Sequence, residues 1–152
     1  MATSIYVNLI KEELKKVRLC RHQMVFIVGN QRNIAIEQLA LDSEIELINL
    51  SLRLSELLLE LPVNRRNRKV GESVNRLLAE QGDIVILERI ELLFLPELQV
   101  DPMRLFEDIS RNTVLIIDWN GKYENGNLTY ARPGHSEYRS YHSLEASVIQ
   151  AD

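Results

Sequence analysis

Continuous apolar runs alternate along this chain with segments in which apolar residues recur every three or four positions. An unbroken apolar run is typical of a strand buried on both faces of a sheet, whereas the three-to-four spacing is typical of an amphipathic helix. The runs predict strands at 23–29, 46–50, 83–90 and 113–118. The spacing predicts helices at 5–21, 33–41 and 55–61, a fourth from residue 64 to the Gln81-Gly82-Asp83 turn, and a fifth from Pro102, capped by Asp101, to about Ser110. The first helix is expected to direct these residues toward the core: Tyr6, Ile10, Leu14, Val17 and Cys20.

Strands that alternate with amphipathic helices predict an α/β fold with a mostly parallel sheet and helices on both faces. Asn125-Gly126 indicates a tight hairpin turn between strands at 121–124 and 127–131. We expect this hairpin to add an antiparallel element at one edge or end of the sheet, within a C-terminal hairpin and tail at 121–152. The length of 152 residues and the hydrophobic content of 45% fit one α/β domain, residues 1–152.

Charge is distributed unevenly between the two halves of the chain. Residues 1–76 contain 12 Lys and Arg against 9 Asp and Glu, whereas residues 77–152 contain 6 against 13. Molecules with a basic half and an acidic half can stack head to tail, so the sequence predicts a homo-oligomer. The alternative is that solvated faces simply differ in composition.

Cys20 is the only cysteine, which excludes an internal disulfide and a cysteine-based zinc site and fits a reducing compartment. The N-terminal residues lack the basic, apolar and small-residue segments of a secretory signal. No apolar run approaches the length that crosses a bilayer. We therefore expect a cytoplasmic protein without a membrane partner.

The run VFIV leads into Gly29 and then into a predicted helix, which gives this stretch the outline of a phosphate-binding loop. In the Walker pattern G-x-x-x-x-G-K-[ST], the glycines let backbone N–H groups surround a phosphate, the lysine neutralises the outer phosphates and the hydroxyl holds Mg²⁺. Counted from Gly29, these roles fall on Ile34, Ala35 and Ile36, none of which can perform them. What remains is a helix N-terminus after a strand, which is a weak anion site.

Gly29, Asn30 and Arg32 are therefore weak candidates for binding a nucleotide phosphate, with Arg32 supplying positive charge from the loop. The favoured alternative is an ordinary strand-to-helix turn in which Asn30 or Asn33 caps the helix. We expect no cofactor, with ATP and Mg²⁺ as the alternative, and no metal site.

Two further positions match places where a nucleotide-hydrolysing site carries polar groups. Glu88 follows four apolar residues, as a metal-binding Walker B acid would, and Glu91 lies near enough to be a second acid. The alternative is a strand-end ion pair of Glu88 with Arg89. Asn120 follows the fourth strand and is a candidate sensor of a γ-phosphate, or else a residue of the turn that enters the hairpin.

The densest basic run predicts a contact with DNA phosphates or with the acidic half of another copy, although charge runs are usually solvated faces. Its four cations are Arg65, Arg66, Arg68 and Lys69. Arg111, between the last helix and the fourth strand, is predicted either to reach a neighbouring subunit or to cap that helix.

The tail after the hairpin is rich in tyrosine and arginine, and Tyr130 and Tyr138 are its candidate contact residues for a partner or for bases. The alternative is that the tyrosines close one end of the core with their hydroxyl groups in water.

The run DIVILERIELLFLPELQVDPMRLFEDISRNTVLIIDWNG, followed by GNLTYARPGHSEYRSY, resembles the BrxF-like proteins, the small P-loop-like component of bacteriophage exclusion (BREX) defence systems. The resemblance spans roughly residues 22–142. It implies an AAA-like P-loop NTPase fold, oligomerisation and work with other BREX proteins that mark host DNA and restrict phage. Family members typically carry a recognisable Walker A loop, from which this chain departs at Ile34, Ala35 and Ile36. The acid and sensor roles of the family would fall on Glu88, Glu91 and Asn120.

Together these features predict a non-catalytic, P-loop-derived accessory subunit of a BREX defence complex that acts through self-assembly and partner binding. One alternative is a weak ATPase of the same system, completed by a lysine from another subunit. The other is an accessory subunit that binds DNA through the basic run.

Overall fold

The computed structural model describes residues 2–152, with side chains from Ile5 onward, so Met1 of the predicted 1–152 domain lies outside the described residues. The helices are α1 (Ala2–Val17), α2 (Arg32–Ser43), α3 (Leu50–Leu59), α4 (Val63–Ala79) and α5 (Pro102–Ile109), with short 3-10 turns at Glu91–Phe94 and Pro96–Leu98. The strands are β1 (Met24–Val28), β2 (Glu46–Asn49), β3 (Ile84–Glu88), β4 (Val114–Asp118), β5 (Gly121–Glu124), β6 (Asn127–Tyr130), β7 (Arg139–His142) and β8 (Ser147–Gln150). Within residues 2–152, none of the helices has both the length and the apolar content that crossing a membrane requires.

Five strands form the main sheet in the order β2-β3-β4-β1-β8, and all four pairings between them are parallel. The four predicted strands are confirmed, and β1 is buried at every residue, as its unbroken apolar run predicts. The fifth strand, β8, was not predicted. Only Ile149 of its four residues is buried, because an edge strand exposes much of its surface and leaves little apolar signal in the sequence.

Helices cover both faces of the main sheet, as predicted. Alternate residues of β1 point to opposite sides, so that Val25 and Ile27 pack with α1 and α2 whereas Phe26 packs with α3, α4 and α5. The sheet is therefore the middle layer between two apolar cores.

Two predicted helix boundaries are wrong. The first helix ends at Val17 and not at residue 21, because the chain tightens into i→i+3 turns and leaves Cys20 exposed. The third begins at Leu50 and not at residue 55, because the Asn49 side chain accepts a hydrogen bond from the Leu52 backbone N–H and caps the helix there. The predicted cap of α5 is confirmed, since the Asp101 carboxylate accepts a hydrogen bond of 3.1 Å from the Met103 N–H.

The predicted hairpin is confirmed with Asn125 and Gly126 both at positive φ, as a two-residue hairpin turn requires. It does not extend the main sheet, however. β7 pairs with β6 to make a separate three-stranded antiparallel sheet, which lies on the side of α3, α4 and α5.

Trp119 joins the small sheet to the main one. Its indole is fully buried, packs edge-to-face against Phe26 and Phe94, and donates a hydrogen bond of 2.9 Å to the Thr129 carbonyl. The corner between β4 and β5 is thus fixed by an apolar contact on one side and a polar contact on the other.

Trp119→Ala is expected to lower the free energy of unfolding by about 3–5 kcal/mol, because it opens a cavity at this corner and removes the hydrogen bond to the Thr129 carbonyl. Denaturant titration measures this loss. Leu19→Ala is the control, since Leu19 is 90% exposed, and its change should stay within about 0.5 kcal/mol. A loss for Trp119→Ala as small as that of the control would show that the indole is not the joint between the sheets.

Candidate functional site

Parallel strands place their carboxyl ends at one edge of the sheet, and the strand order places β4 between β1 and β3 at that edge. The Gly29 loop after β1, Glu88 at the end of β3 and Asp118 at the end of β4 are therefore neighbours. Open α/β sheets bind their ligands at this edge. The three segments that the sequence singled out for nucleotide chemistry thus meet in one place.

Arg32 is the centre of this site. Its Nε donates to Asp118 Oδ1 at 2.7 Å, its Nη1 to the Gly29 carbonyl at 3.1 Å and its Nη2 to Asn120 Oδ1 at 3.2 Å. The Arg32 and Asp118 side chains are only 21% and 11% exposed, so this ion pair is partly removed from water. We call this group of four residues the Arg32 clasp. It uses the guanidinium to tie the loop to the end of β4.

Arg32 is the first residue of α2 and does not lie on the loop, which corrects the sequence prediction. The helix begins there because the Ala35 N–H bonds to the Gln31 carbonyl at 3.1 Å. The predicted side-chain cap is also wrong: the cap residue is Gln31, not Asn30 or Asn33, and no side chain bonds to the first turn.

The end of β8 lies against the Gly29 loop. The Gln31 N–H donates to the Ala151 carbonyl at 2.7 Å, and the Ala151 N–H donates to the Val28 carbonyl at 2.7 Å. Gly29 has a φ of +108°, and a side chain there would clash with the Ala151 carbonyl. The glycine is therefore required by the close approach of the chain's own backbone.

A cavity of about 210 Å³ lies beside the clasp and is rich in carboxylates, with Glu88, Glu91 and Asp118 among its lining residues. Burial, followed by the negative charge of Asp118, raises the pKa of Glu88. Burial also raises the pKa of Asp118, and the adjacent Arg32 opposes this shift. The site thus holds carboxyl groups that are more readily protonated than usual. No cluster of His, Cys, Asp and Glu within the described part of the chain is arranged to hold a metal ion.

Glu91 is engaged in a network with the start of α3. Ser51 Oγ donates to Glu91 Oε2 at 3.4 Å and accepts from the Leu92 N–H at 3.0 Å. Arg89 Nε lies 3.9 Å from Glu91 Oε1. The predicted ion pair of Arg89 with Glu88 is therefore replaced by a pair with Glu91. Arg89 turns away because its backbone adopts a positive φ of 55° directly after β3.

A second, more open cavity of about 350 Å³ lies on the other side of the clasp and is lined by Asn30, Arg32, Asn120 and Lys122 among others. The sequence reasoning missed Lys122. No local signal could have found it, because Lys122 reaches this cavity only through the fold of the hairpin strand β5.

The basic run lies at the start of α4, and its four cations have different surroundings. Arg66 Nε donates to the Leu58 and Leu61 carbonyls at 2.9 and 3.1 Å, which closes the end of α3. Lys69 pairs with Glu72 at 3.1 Å. Arg65 and Arg68 are exposed. Arg111 lies just before β4, at the amino edge of the sheet and away from the clasp, and no hydrogen bond of its guanidinium caps α5 among the described residues.

Tyr130 is a core residue, in agreement with the alternative interpretation of the tail tyrosines. Its ring is 8% exposed and stacks on Phe94 with the ring centroids 3.7 Å apart. Burial raises the pKa of its hydroxyl to about 12. This ring offers no surface to a partner or to DNA, whereas Tyr138 is half-buried at the end of an exposed loop.

Comparison of the chain with protein-family models, with curated proteins and with solved structures finds no match in any of the three.

Arg32→Ala is expected to lower the free energy of unfolding by about 1–3 kcal/mol, because it leaves the partly buried Asp118 carboxylate without its partner. Adding Asp118→Asn to that variant removes the unpaired charge and should recover part of the loss. Denaturant titration of both single variants and the double variant measures the coupling. Lys69→Ala breaks an exposed ion pair and is the matched control, with a change within about 0.5 kcal/mol. Additive effects of the two single changes would contradict the clasp.

Glu88→Gln tests the electrostatics of the acidic cavity. Because the pKa of Glu88 in the folded chain lies above its ordinary value of 4.5, ionisation above that pH favours the unfolded chain. The neutral glutamine should therefore raise the free energy of unfolding at about pH 7 and leave it unchanged at about pH 3, where both states carry a protonated Glu88. Denaturant titrations at the two pH values measure the difference. An equal gain in the free energy of unfolding at both pH values would show that the glutamine acts through packing and not through charge.

Proposed function

We propose that this chain is an AAA-like, P-loop-derived subunit that does not hydrolyse nucleotide and that serves a phage-exclusion defence complex through self-assembly and partner binding. The observation that carries the proposal is the Arg32 clasp, which fills the place where a nucleotide-hydrolysing site holds phosphate and Mg²⁺. The resemblance to the BrxF-like proteins supports the assignment to defence.

The strand order supports the P-loop-derived origin. A glycine loop after β1, an acid at the end of β3 and a polar end of β4 all lie at one edge, with β4 between the other two. This is where Walker A, Walker B and sensor groups must converge around a phosphate. This arrangement supports a P-loop-derived origin.

The loop itself is too short to surround a phosphate. Only Gly29, Asn30 and Gln31 separate β1 from α2, whereas the Walker pattern places five residues between its first glycine and its lysine. The positions that align with the lysine and the hydroxyl residue, Ala35 and Ile36, are 0% and 2% exposed and pack in the core. Neither position could direct a polar group at a bound nucleotide.

Two donors at this loop are already engaged. The Gln31 N–H is bonded to Ala151, and the guanidinium of Arg32 is bonded to Asp118 and Asn120. A phosphate would have to break these contacts before it could bind, and it would meet the Asp118 carboxylate there. This cost opposes nucleotide binding.

A weak ATPase is the second candidate, and the position of Lys122 favours it. This lysine lines the same cavity as Asn30 and Arg32, where it could replace part of the missing positive charge. The two functions differ in whether ATP and Mg²⁺ bind and turn over.

The wild-type protein is expected to release no phosphate from ATP and Mg²⁺ above the rate of buffer alone, and its melting temperature should not change with ATP. Phosphate release and thermal unfolding measure these outcomes, with Lys122→Ala as the matched control. Saturable stabilisation by ATP that Lys122→Ala abolishes would contradict the proposal and support the weak ATPase.

The defence role has a separate readout. In cells that carry the complete defence locus, deletion of this chain should restore phage plating, and a copy of the chain supplied in trans should remove it again. Unchanged restriction after deletion would refute the assignment to defence.

A further inference from the structure

Exposed large apolar side chains are confined to one part of the described chain. All eight lie between Ile5 and Val63, and none lies in residues 64–152. Exposed apolar side chains that lie together on one face of the molecule indicate an interaction surface. On α1 and α2 and in the turn after α1 they are Ile5, Leu9, Leu19, Ile34 and Leu41, and at α3 and the start of α4 they are Leu52, Leu59 and Val63.

These side chains form two faces on opposite sides of the molecule, because α2 packs on one side of the sheet and α3 on the other. We call the outer surface of α2, with Ile34 and Leu41, the acidic face. Residues 32–46 carry one cation and four carboxylates, and the single cation, Arg32, is held inside the clasp.

We call the outer surface of α3 and the start of α4, with Leu52, Leu59 and Val63, the basic face. Residues 50–69 carry five cations and two carboxylates. Two of the cations are already engaged, since Arg66 is bonded to the Leu58 and Leu61 carbonyls and Lys69 is paired with Glu72. Arg53 on α3 and both Arg65 and Arg68 on α4 are exposed. The opposite charges of the two faces favour contact between them.

The spacing of the apolar residues also matches. Ile34 and Leu41 are seven residues apart on α2, and Leu52 and Leu59 are seven residues apart on α3. Each pair therefore spans about 10.5 Å along its helix. Two helices with apolar residues at equal intervals can pack side by side, with each pair placed against the other.

We infer that the acidic face of one copy binds the basic face of the next, so that the chain assembles head to tail through α2 and α3. The inference deepens the self-assembly in the proposed function and rests on it. A contact between two different faces is heterologous, so each copy keeps one face free for a further copy. Assembly then proceeds to a ring or an open stack and not to a closed dimer.

Leu41→Lys and Leu59→Asp test the two faces separately, because each places on its face a charge that repels the opposite face of the next copy. Leu41 and Leu59 are 76% and 70% exposed, so both variants should fold as the wild type does, which circular dichroism and thermal unfolding verify. In sedimentation over a concentration series, the wild type should exceed the monomer mass, and each variant alone should have an association constant lower by at least tenfold, about the effect of one buried leucine.

The mixture of the two variants is the decisive measurement. Leu41→Lys retains its basic face and Leu59→Asp its acidic face, so an equimolar mixture should form a dimer of one copy of each and stop there. Leu19→Asp, on a side chain that is 90% exposed and outside both faces, is the matched control and should assemble as the wild type does. Raised salt should weaken the wild-type assembly.

The outcomes separate this inference from the proposed function. A wild type that stays monomeric overturns self-assembly altogether. A wild type that assembles while either face variant is unaffected, or a mixture that forms no dimer, overturns the pairing of these two faces only. ATP turnover, measured separately, decides whether the subunit is catalytic.

Discussion

An ion pair between Arg32 and Asp118 joins the first turn of α2 to the end of β4, and the geometry of the candidate site depends on it. Asp118 ends a strand that is otherwise apolar and buried, so its carboxylate is poorly hydrated, and burial raises its pKa. The guanidinium offsets that cost with a bond of 2.7 Å and adds contacts to Gly29 and Asn120. One side chain thus fixes the start of a helix, a loop and the entry to the hairpin.

A second constraint acts on the same loop from the other side. β8 pairs with β1 along the edge of the sheet, and its continuation through Ala151 forms backbone hydrogen bonds to Val28 and Gln31. The loop is therefore held between the clasp and the chain's own backbone. A phosphate-binding loop must leave its N–H groups directed at an empty space. Here the Gln31 N–H is directed at the Ala151 carbonyl instead. The turn between β1 and α2 is therefore packed from two sides.

Much of this arrangement could be predicted from the sequence. The strands of a parallel sheet are unbroken apolar runs, and the dipeptide Asn125-Gly126 is typical of a two-residue hairpin turn. Glu88, Asn120 and Gly29 could be placed at one edge from the order of strands and helices alone. The partners of Arg32 could not, since Asp118 and Asn120 are far away in sequence and only the position of β4 beside β1 brings them together. β8 escaped prediction for a related reason: Ile149 is its only buried residue, so its place in the sheet depends on a backbone pairing with β1 and not on its own pattern. The role of Arg66 could not be predicted either, because a run of basic residues does not reveal that one of them donates hydrogen bonds to the carbonyls at the end of α3.

α2 connects the interior of the site to the surface of the molecule. Its first residue, Arg32, is held in the clasp, whereas Ile34 and Leu41 face outward on the same rigid helix. Ile36 and Leu39 of the same helix pack in the core, so the direction of its outer surface is set by this packing together with the contacts at its first turn. The Arg32 clasp and the core packing of α2 thus hold Ile34 and Leu41 outward. This is the orientation that the inferred contact with the basic face of another copy requires, so the same helix that closes the candidate site also presents the inferred assembly surface.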